Sequence, residues 1–273
     1  MRVIIVKKKT LIILAAAIII LAAVIVIACV SCRPETNAPT MSFESVEEYE
    51  LNVLSGKSRE LPVYYVDSED KVVALTIDAA WEDDKTAFIL DTLKRYEIKA
   101  TFFLCGVWVK AYPDQVKAIH DAGHEIGNHS LTHPHMNKLD AAGVQAELTK
   151  LDDEIEAIIG KRCTLFRAPF GEYNDTVILA AREAGYEVVQ WNIDTIDWKE
   201  ARSVETILST VYSKLSPGSI ILSHNNGYRI KDYLPSLIEH ALEQGYRFVT
   251  VSELLLDGET EIDNNGMQKL KAA

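Results

Sequence analysis

Cysteine is scarce in this sequence, and its few copies are scattered. The 273 residues contain four cysteines: Cys29, Cys32, Cys105 and Cys163. This scatter excludes the dense disulfide framework of a small secreted domain, and it does not match the ligand spacing of a zinc finger. Cys29 and Cys32 have CxxC spacing, but they lie at the end of an apolar run, which argues against a redox or metal role for that pair.

Basic residues are also few outside one short stretch. Lys and Arg total 28 against 40 Asp and Glu, which gives a formal net charge of -12. Apart from Arg2 and Lys7 to Lys9, the basic residues form no large cluster. An acidic protein without a basic patch is a poor binder of nucleic acid, so we expect no nucleic-acid partner.

A long run without charge lies near the start of the chain. Residues 10–30 are apolar or small throughout, which is about the length needed to cross a bilayer. Residues 1–9 carry the basic cluster and are expected to stay cytoplasmic, so that the rest of the chain faces outward. A second interpretation stays open, because Val26 to Cys29 resembles the lipobox of a bacterial lipoprotein. A transmembrane anchor and a lipid anchor both place the protein at the cell membrane with its domain outside.

Composition divides the rest of the chain into three parts. Residues 31–60 are polar, contain Pro34 and Pro39, and are predicted to be a stem or linker. Residues 61–257 alternate short apolar runs with segments of helical period. Residues 258–273 are polar and are predicted to be a flexible tail.

The alternating part predicts an α/β fold. Such a pattern is typical of parallel strands with helices outside them. The predicted strands are 72–77, 100–104, 125–126, 164–166, 186–191, 219–222 and 246–251. The predicted helices are 86–96, 113–122, 141–159, 175–184, 204–215 and 234–244. About seven parallel strands predict a distorted (β/α) barrel that is smaller than the usual eight-stranded one of about 250 residues.

Polar clusters directly follow five of the predicted strands. They are Asp78, residues 128–133, residues 167–171, residues 194–198 and residues 224–226. In a parallel barrel the carboxyl ends of the strands meet at one rim, where active sites lie. Clusters rich in His, Asp and Arg therefore predict a catalytic site at that rim.

Two histidines in the second cluster are candidate metal ligands. His129 and His133 are four residues apart, so a helical turn would bring both rings to one side. Pro134 stiffens the turn and His135 follows it. Imidazole is a common ligand of divalent metals, so we expect zinc here, with cobalt, nickel or manganese as alternatives.

The clusters also match a known set of motifs in its known order. They are Thr76-Ile77-Asp78-Ala79, His129-Ser130-Leu131-Thr132-His133, Arg167 to Gly171, Asp197-Trp198 and Leu222-Ser223-His224. From about Val63 to Leu256 the chain resembles the polysaccharide deacetylases with a NodB-homology domain, which form carbohydrate esterase family 4. The Asp-Ala-Ala-Trp segment at 78–81 is similar to the branch that includes sporulation-associated deacetylases.

This resemblance implies a role for each matched side chain. Asp78 would act as general base on a metal-bound water, with Arg167 holding it ionised. His224 would act as general acid on the leaving amine, oriented by Asp197. Trp198 and Leu222 would form the apolar wall around the acetyl methyl. The main-chain amide of Phe170 or of Tyr173 would bind the developing oxyanion.

One position departs from the family pattern. Where the family has a third metal ligand, an aspartate, this sequence has Ala79. Three arrangements stay open: His129 and His133 hold the metal with water alone, Asp78 turns to the metal, or Asp83 or Asp84 folds back to it. The acidic run at 82–84 is also typical of a helix N-terminus, where negative charge is favourable.

The resemblance implies a metal-dependent hydrolase that removes N-acetyl groups from a cell-wall-type polysaccharide. The predicted membrane tether favours peptidoglycan or spore cortex over a small-molecule amide, with a chitin-like oligomer as a further substrate. N-acetylglucosamine and N-acetylmuramic acid both stay open as the sugar. Ala79 supports an alternative, a non-catalytic glycan-binding protein of the same fold. Retention of Asp78, Arg167, Asp197 and His224 argues for the enzyme.

Overall fold

The computed structural model describes residues 59–83 and 85–271. The predicted cytoplasmic segment, the anchor or lipoprotein signal, and most of the stem lie outside the described residues, as does Asp84. Within the described ranges, no helix combines the length and the apolar character needed to span a bilayer.

Eleven strands and eight helices make up the described part. The strands are β1 (Tyr65–Val66), β2 (Val72–Ala79), β3 (Thr101–Leu104), β4 (Glu125–Asn128), β5 (Leu165–Phe166), β6 (Glu187–Val188), β7 (Ile193–Asp194), β8 (Ile220–His224), β9 (Arg247–Val249), β10 (Thr260–Ile262) and β11 (Met267–Leu270). The helices are α1 (Thr86–Arg95), α2 (Gly106–Ala111), α3 (Pro113–Asp121), α4 (Ala141–Ile159), α5 (Asp175–Glu183), α6 (Val204–Lys214), α7 (Ile230–Glu243) and α8 (Val251–Leu254). Short 3₁₀ turns cover Met136–Lys138 and Pro169–Gly171.

The main sheet consists of parallel strands in the order β6-β5-β4-β3-β2-β8-β7. β9 also pairs with β2, at the start of that strand. The sheet curls into a partial barrel, with β6 and β7 as its outer strands. The prediction of about seven parallel strands in a distorted (β/α) barrel is thereby confirmed in its strand direction and its curvature.

The register of β2 against β8 positions the site. Ala74 lies opposite Ile220, and the pairing continues in step until Asp78 lies opposite His224. β2 is buried along nearly its whole length, as expected for a strand with apolar layers on both faces. The apolar run of β2 ends at Ile77, and Asp78 is the first polar side chain at the carboxyl rim of the sheet.

Helix α4 illustrates why the helices outside the sheet could be predicted from the sequence. Its buried side chains recur at helical spacing and face the core: Val144, Leu148, Leu151 and Ile155. The Asp140 side chain accepts a hydrogen bond from the Gly143 amide and caps the first turn. Gly160 ends the helix in the left-handed conformation, at φ 70°.

The C-terminal segment corrects the prediction of a flexible tail. β10 and β11 form an antiparallel hairpin, and β11 pairs in parallel with β1. Gly266, at φ 80°, packs so closely on Tyr64 that an added Cβ would lie 2.3 Å from its ring. The two strands are short and rich in polar residues, so the sequence shows no alternation of apolar and polar residues that would predict them. They are ordered by main-chain pairing with β1.

Candidate active site

The carboxyl ends of the strands collect the predicted polar side chains at one rim. Asp78 lies near the end of β2, Asn128 ends β4, and Asp194 ends β7. His224 ends β8 and Arg167 follows β5 by one residue. All five predicted clusters are joined by contacts, because Asp78 contacts Arg167 and His129 and lies opposite His224, which in turn contacts Asp197.

Asp78 and Arg167 form a buried ion pair. Nη1 of Arg167 donates to Oδ1 of Asp78 at 2.7 Å, and Arg167 is fully buried. Burial raises the pKa of Asp78, but the charge and hydrogen bond of Arg167, together with the charge of His224, outweigh this and leave the pKa below its usual value. Asp78 is therefore held as a carboxylate.

Several neighbours fix the guanidinium of Arg167. Nη1 also donates to the Thr76 hydroxyl at 2.8 Å, and Nη2 donates to the Gln190 carbonyl at 2.9 Å. The ring of Phe103 lies 4.1 Å from the guanidinium carbon and that of Trp191 lies 5.4 Å away. These contacts could not be predicted from the sequence, since the nearest of these partners along the chain, Gln190, is 23 residues away.

His129 and His133 form a compact pair beside Asp78. Their ring centroids are 5.0 Å apart, and Nε2 of His129 lies 3.8 Å from Oδ2 of Asp78. Nδ1 of His129 lies 2.8 Å from the carbonyl oxygen of Arg167, which fixes the ring and leaves Nε2 facing the site. Burial lowers the pKa of His129, and it lowers that of His133 to about 4, so both rings are neutral at pH 7.

A polar relay that the sequence did not reveal holds the histidine turn. Asn128 donates to a carboxylate oxygen of Asp152 at 3.1 Å and accepts from the Ser130 amide at 2.9 Å. The Ser130 hydroxyl in turn accepts from the His133 amide at 3.1 Å. His133 has φ 57°, so the turn is not a helical one, although it still brings the two rings together.

The two histidines suit a divalent cation as part of a ligand set. His133 Nδ1 is buried and has no hydrogen-bond partner among the described residues, and neutral imidazole is a metal ligand. Across the same residues, no group of three His, Cys, Asp or Glu side chains is placed to hold a metal. Asp83 therefore does not complete a site with His129 and His133, and Ala79 is buried and has no donor atom.

His224 and Asp197 form the second half of the site. Nδ1 of His224 lies 2.7 Å from Oδ1 of Asp197, and the His224 amide donates to Oδ2 at 3.1 Å. The Tyr233 hydroxyl donates to the same Oδ2 at 2.6 Å. Burial lowers the pKa of His224, but the hydrogen bond and charge of Asp197 outweigh it and leave the pKa raised. The imidazole is therefore biased towards its protonated form.

The residues predicted to bind substrate take different positions. Leu222 is buried on β8, two residues before His224, and Trp198 is half exposed beside Asp197. Phe170 is exposed with φ 60°, and its ring centroid lies 4.6 Å from that of His133. Tyr173 is turned elsewhere, with its hydroxyl 2.9 Å from the hydroxyl of Tyr64.

Comparison with protein families agrees with the motifs. A family model described as polysaccharide deacetylase matches residues 65–189. The uncharacterized protein YlxY of Bacillus subtilis is 36% identical over 195 residues, which cover 71% of this chain and 60% of that protein. A peptidoglycan-N-acetylglucosamine deacetylase of Bacillus cereus is 36% identical, covering 67% of each chain. The peptidoglycan-N-acetylmuramic acid deacetylase PdaA of Bacillus subtilis is 31% identical, covering 73% of this chain and 77% of PdaA.

Solved structures include both active and inactive relatives. A protein of Bacillus anthracis described as a CE4 family pseudoenzyme superposes with a TM-score of 0.68 at 36% identity, covering 74% of this chain and 70% of that one. A mutant of the same protein is described as having restored enzymatic activity. The structure of PdaA superposes with a TM-score of 0.68 at 31% identity, covering 75% of this chain and 88% of that one.

Proposed function

Because this chain belongs to the polysaccharide deacetylase family, we propose that it removes N-acetyl groups from amino-sugar residues of peptidoglycan. The observation that carries this proposal is the pairing of Asp78 with His224 across neighbouring strands, each with its own orienting partner. A held carboxylate next to a protonated imidazole is the arrangement that acid–base hydrolysis requires. The relatives named as peptidoglycan deacetylases support the choice of polymer.

In this mechanism Asp78 accepts a proton from the attacking water. Its lowered pKa keeps it ionised, and the ion pair with Arg167 fixes the oxygen that receives the proton. The water oxygen forms a bond to the acetamide carbon, and the carbon–nitrogen bond breaks. His224 gives its proton to the leaving nitrogen, so the products are acetate and a free amine on the sugar. Asp197 stabilises the imidazolium until that transfer.

We also propose that His129 and His133 hold a divalent cation, with zinc as the first choice. When bound, such a cation polarises the acetamide carbonyl and lowers the pKa of a bound water. The two neutral rings would supply two ligands, and water or Asp84 would supply the rest of the coordination. Trp198 and Leu222 would receive the acetyl methyl, and the amide of Phe170 or Tyr173 would bind the oxyanion.

The location of the enzyme follows from its N-terminal run. The uncharged residues 10–30, preceded by basic residues, would anchor the chain in the cell membrane or carry a lipidated Cys29. In both cases the domain would face the cell wall, where peptidoglycan is the abundant amino-sugar polymer.

A non-catalytic glycan-binding function is the second candidate. Ala79 supports it, because the described residues offer no third metal ligand. The pseudoenzyme relative from Bacillus anthracis supports it as well. The intact Asp78–Arg167 and His224–Asp197 pairs favour the enzyme, since sugar binding alone does not require an acid, a base and their orienting partners.

Acetate release decides between the two functions. The purified full-length chain would be incubated with peptidoglycan, with and without added zinc, and acetate would be measured. We expect release that is abolished in His224→Ala and in Asp78→Ala. Release that persists in both variants would contradict the mechanism. Binding of the polymer without release under either condition would favour the non-catalytic function.

A further inference from the structure

Exposed aromatic side chains are concentrated at the carboxyl rim. Eight large hydrophobic side chains are exposed in the part of the chain that the structure describes. Four are aromatic and lie on loops at the rim: Trp81, Phe170, Trp198 and Tyr228. The other four are aliphatic and lie on helices or on the C-terminal hairpin: Val107, Leu179, Leu242 and Leu270. Exposed aromatic rings gathered at one place indicate a binding surface rather than chance exposure.

The rim aromatics fall into two pairs, one at each half of the site. Trp81 lies with its ring centroid 5.5 Å from that of His133, and Phe170 lies 4.6 Å from the same ring. On the other half, Trp198 directly follows Asp197, and the Tyr228 amide donates to the Asp197 carbonyl at 2.8 Å. One aromatic pair therefore lies against His133, on the Asp78 half of the site, and the other lies beside the Asp197–His224 pair.

Hydrogen bonds hold the loops that carry Trp81 and Tyr228. The carbonyl of Glu82, next to Trp81, accepts from Trp108 Nε1 at 2.6 Å and from Asn225 Nδ2 at 2.8 Å. Beside Tyr228, the Gly227 amide donates to the His224 carbonyl at 3.0 Å. A fixed loop presents its ring without the entropy cost of ordering it on binding.

We propose that Trp81 and Tyr228 are two saccharide-stacking positions on either side of the reacting sugar, so that the site takes an extended amino-sugar chain. A pyranose ring has an apolar face of C–H groups. When this face stacks on a half-exposed aromatic ring, it removes apolar surface of both from water. This inference rests on the proposed function for the position of the reacting sugar. Phe170 and Trp198 are left out because the proposed function already assigns them to the oxyanion and to the acetyl methyl.

Binding measurements on oligomers of increasing length test this inference. Calorimetry would compare N-acetylglucosamine with its β-1,4-linked tetramer, on the full-length wild-type chain and on Tyr228→Ala and Trp81→Leu. We expect the tetramer to bind at least about tenfold more tightly than the monomer. Each substitution should weaken tetramer binding about three- to tenfold and leave monomer binding within about twofold. Leu242→Ala, an exposed apolar side chain on α7, is the matched control and should change neither affinity.

The outcomes separate this inference from the proposed function. Equal affinities for monomer and tetramer, or tetramer binding unchanged in both variants, would overturn the stacking positions even if acetate is released. Length-dependent binding that is lost in the variants would support them even if no acetate is released. Melting temperatures of the variants identify any that fail to fold, and in that case Tyr228→Leu and Trp81→Met, which also remove the aromatic ring, replace them.

Discussion

Asp197 binds both the imidazole and the main chain of His224. One carboxylate oxygen lies 2.7 Å from Nδ1, and the other accepts from the His224 amide at 3.1 Å. The same side chain therefore sets the position of the proposed general acid and its protonation. Tyr233 contributes a third contact to this carboxylate from α7.

This relationship predicts the alkaline limb of the pH–rate profile. His224 must carry a proton to act as an acid, so the rate should be full below its raised pKa and fall as the pH rises through it. Asp197→Asn removes the charge that raises this pKa while burial still lowers it, so the limb should move to lower pH. We also expect a loss of about 10²- to 10⁴-fold in kcat/KM. A pH profile of kcat/KM checks this; an alkaline limb that stays in place would contradict the role of Asp197.

Gly227 tests the same dyad without changing a reacting group. A Cβ at this position would lie 2.1 Å from Oδ2 of Asp197, so Gly227→Ala must displace that carboxylate. We expect kcat to fall about tenfold or more, with a smaller change in KM, because the acid is misplaced rather than the sugar. The control is Gly143→Ala on α4, whose Cβ would approach no atom closer than 3.2 Å. Normal turnover in Gly227→Ala would show that the dyad tolerates displacement.

The strands and helices could be predicted because local patterns specify them. The apolar run of β2 stops at the rim, and α4 is bounded by a capping Asp140 and a terminal Gly160. Charged residues placed after strands likewise indicated the site, since parallel strands bring their carboxyl ends together.

The supporting contacts could not be predicted, because they join distant parts of the chain. Asn128 meets Asp152 across 24 residues, and Tyr233 meets Asp197 across 36. Each pairing depends on how a helix packs on the sheet. An Asp or Tyr within a helical pattern does not indicate which distant residue it will contact. The β10–β11 hairpin was missed for a related reason, since its order comes from pairing with β1.

Asp152 is expected to act on the histidine turn through Asn128. Its carboxylate orients the Asn128 amide, which holds Ser130 and through it His133. Asp152→Leu should weaken zinc or cobalt binding about 10- to 100-fold, the usual effect of losing a group that orients a metal ligand. Asp152→Asn keeps an acceptor oxygen and should restore most of the affinity. Calorimetry would measure the metal affinity of both variants and of the wild type. Equal affinities would show that Asp152 does not position the metal ligands.

Ala79 gives the most direct test of the proposed metal site. Its side chain is fully buried in the same apolar cluster as Ile77 and Leu104. A carboxylate placed there without a partner is costly, so Ala79→Asp should lower the melting temperature of the metal-free protein. If the added oxygen reaches a cation held by His129 and His133, it supplies the charged ligand that the described residues lack.

We therefore expect Ala79→Asp to bind zinc at least about tenfold more tightly than wild type, which corresponds to about 1.4 kcal/mol. Because a ligand that binds the folded state stabilises it, zinc should raise the melting temperature of this variant more than that of wild type. Ala80→Asp, one residue further along and also buried, is the matched control and should lose stability without gaining affinity. Unchanged zinc affinity in Ala79→Asp, with a stability loss that zinc does not recover, would show that position 79 does not face the cation. In that case Asp84→Ala separates the two remaining arrangements: it should weaken zinc binding where Asp84 supplies the third ligand, and leave it unchanged where water does.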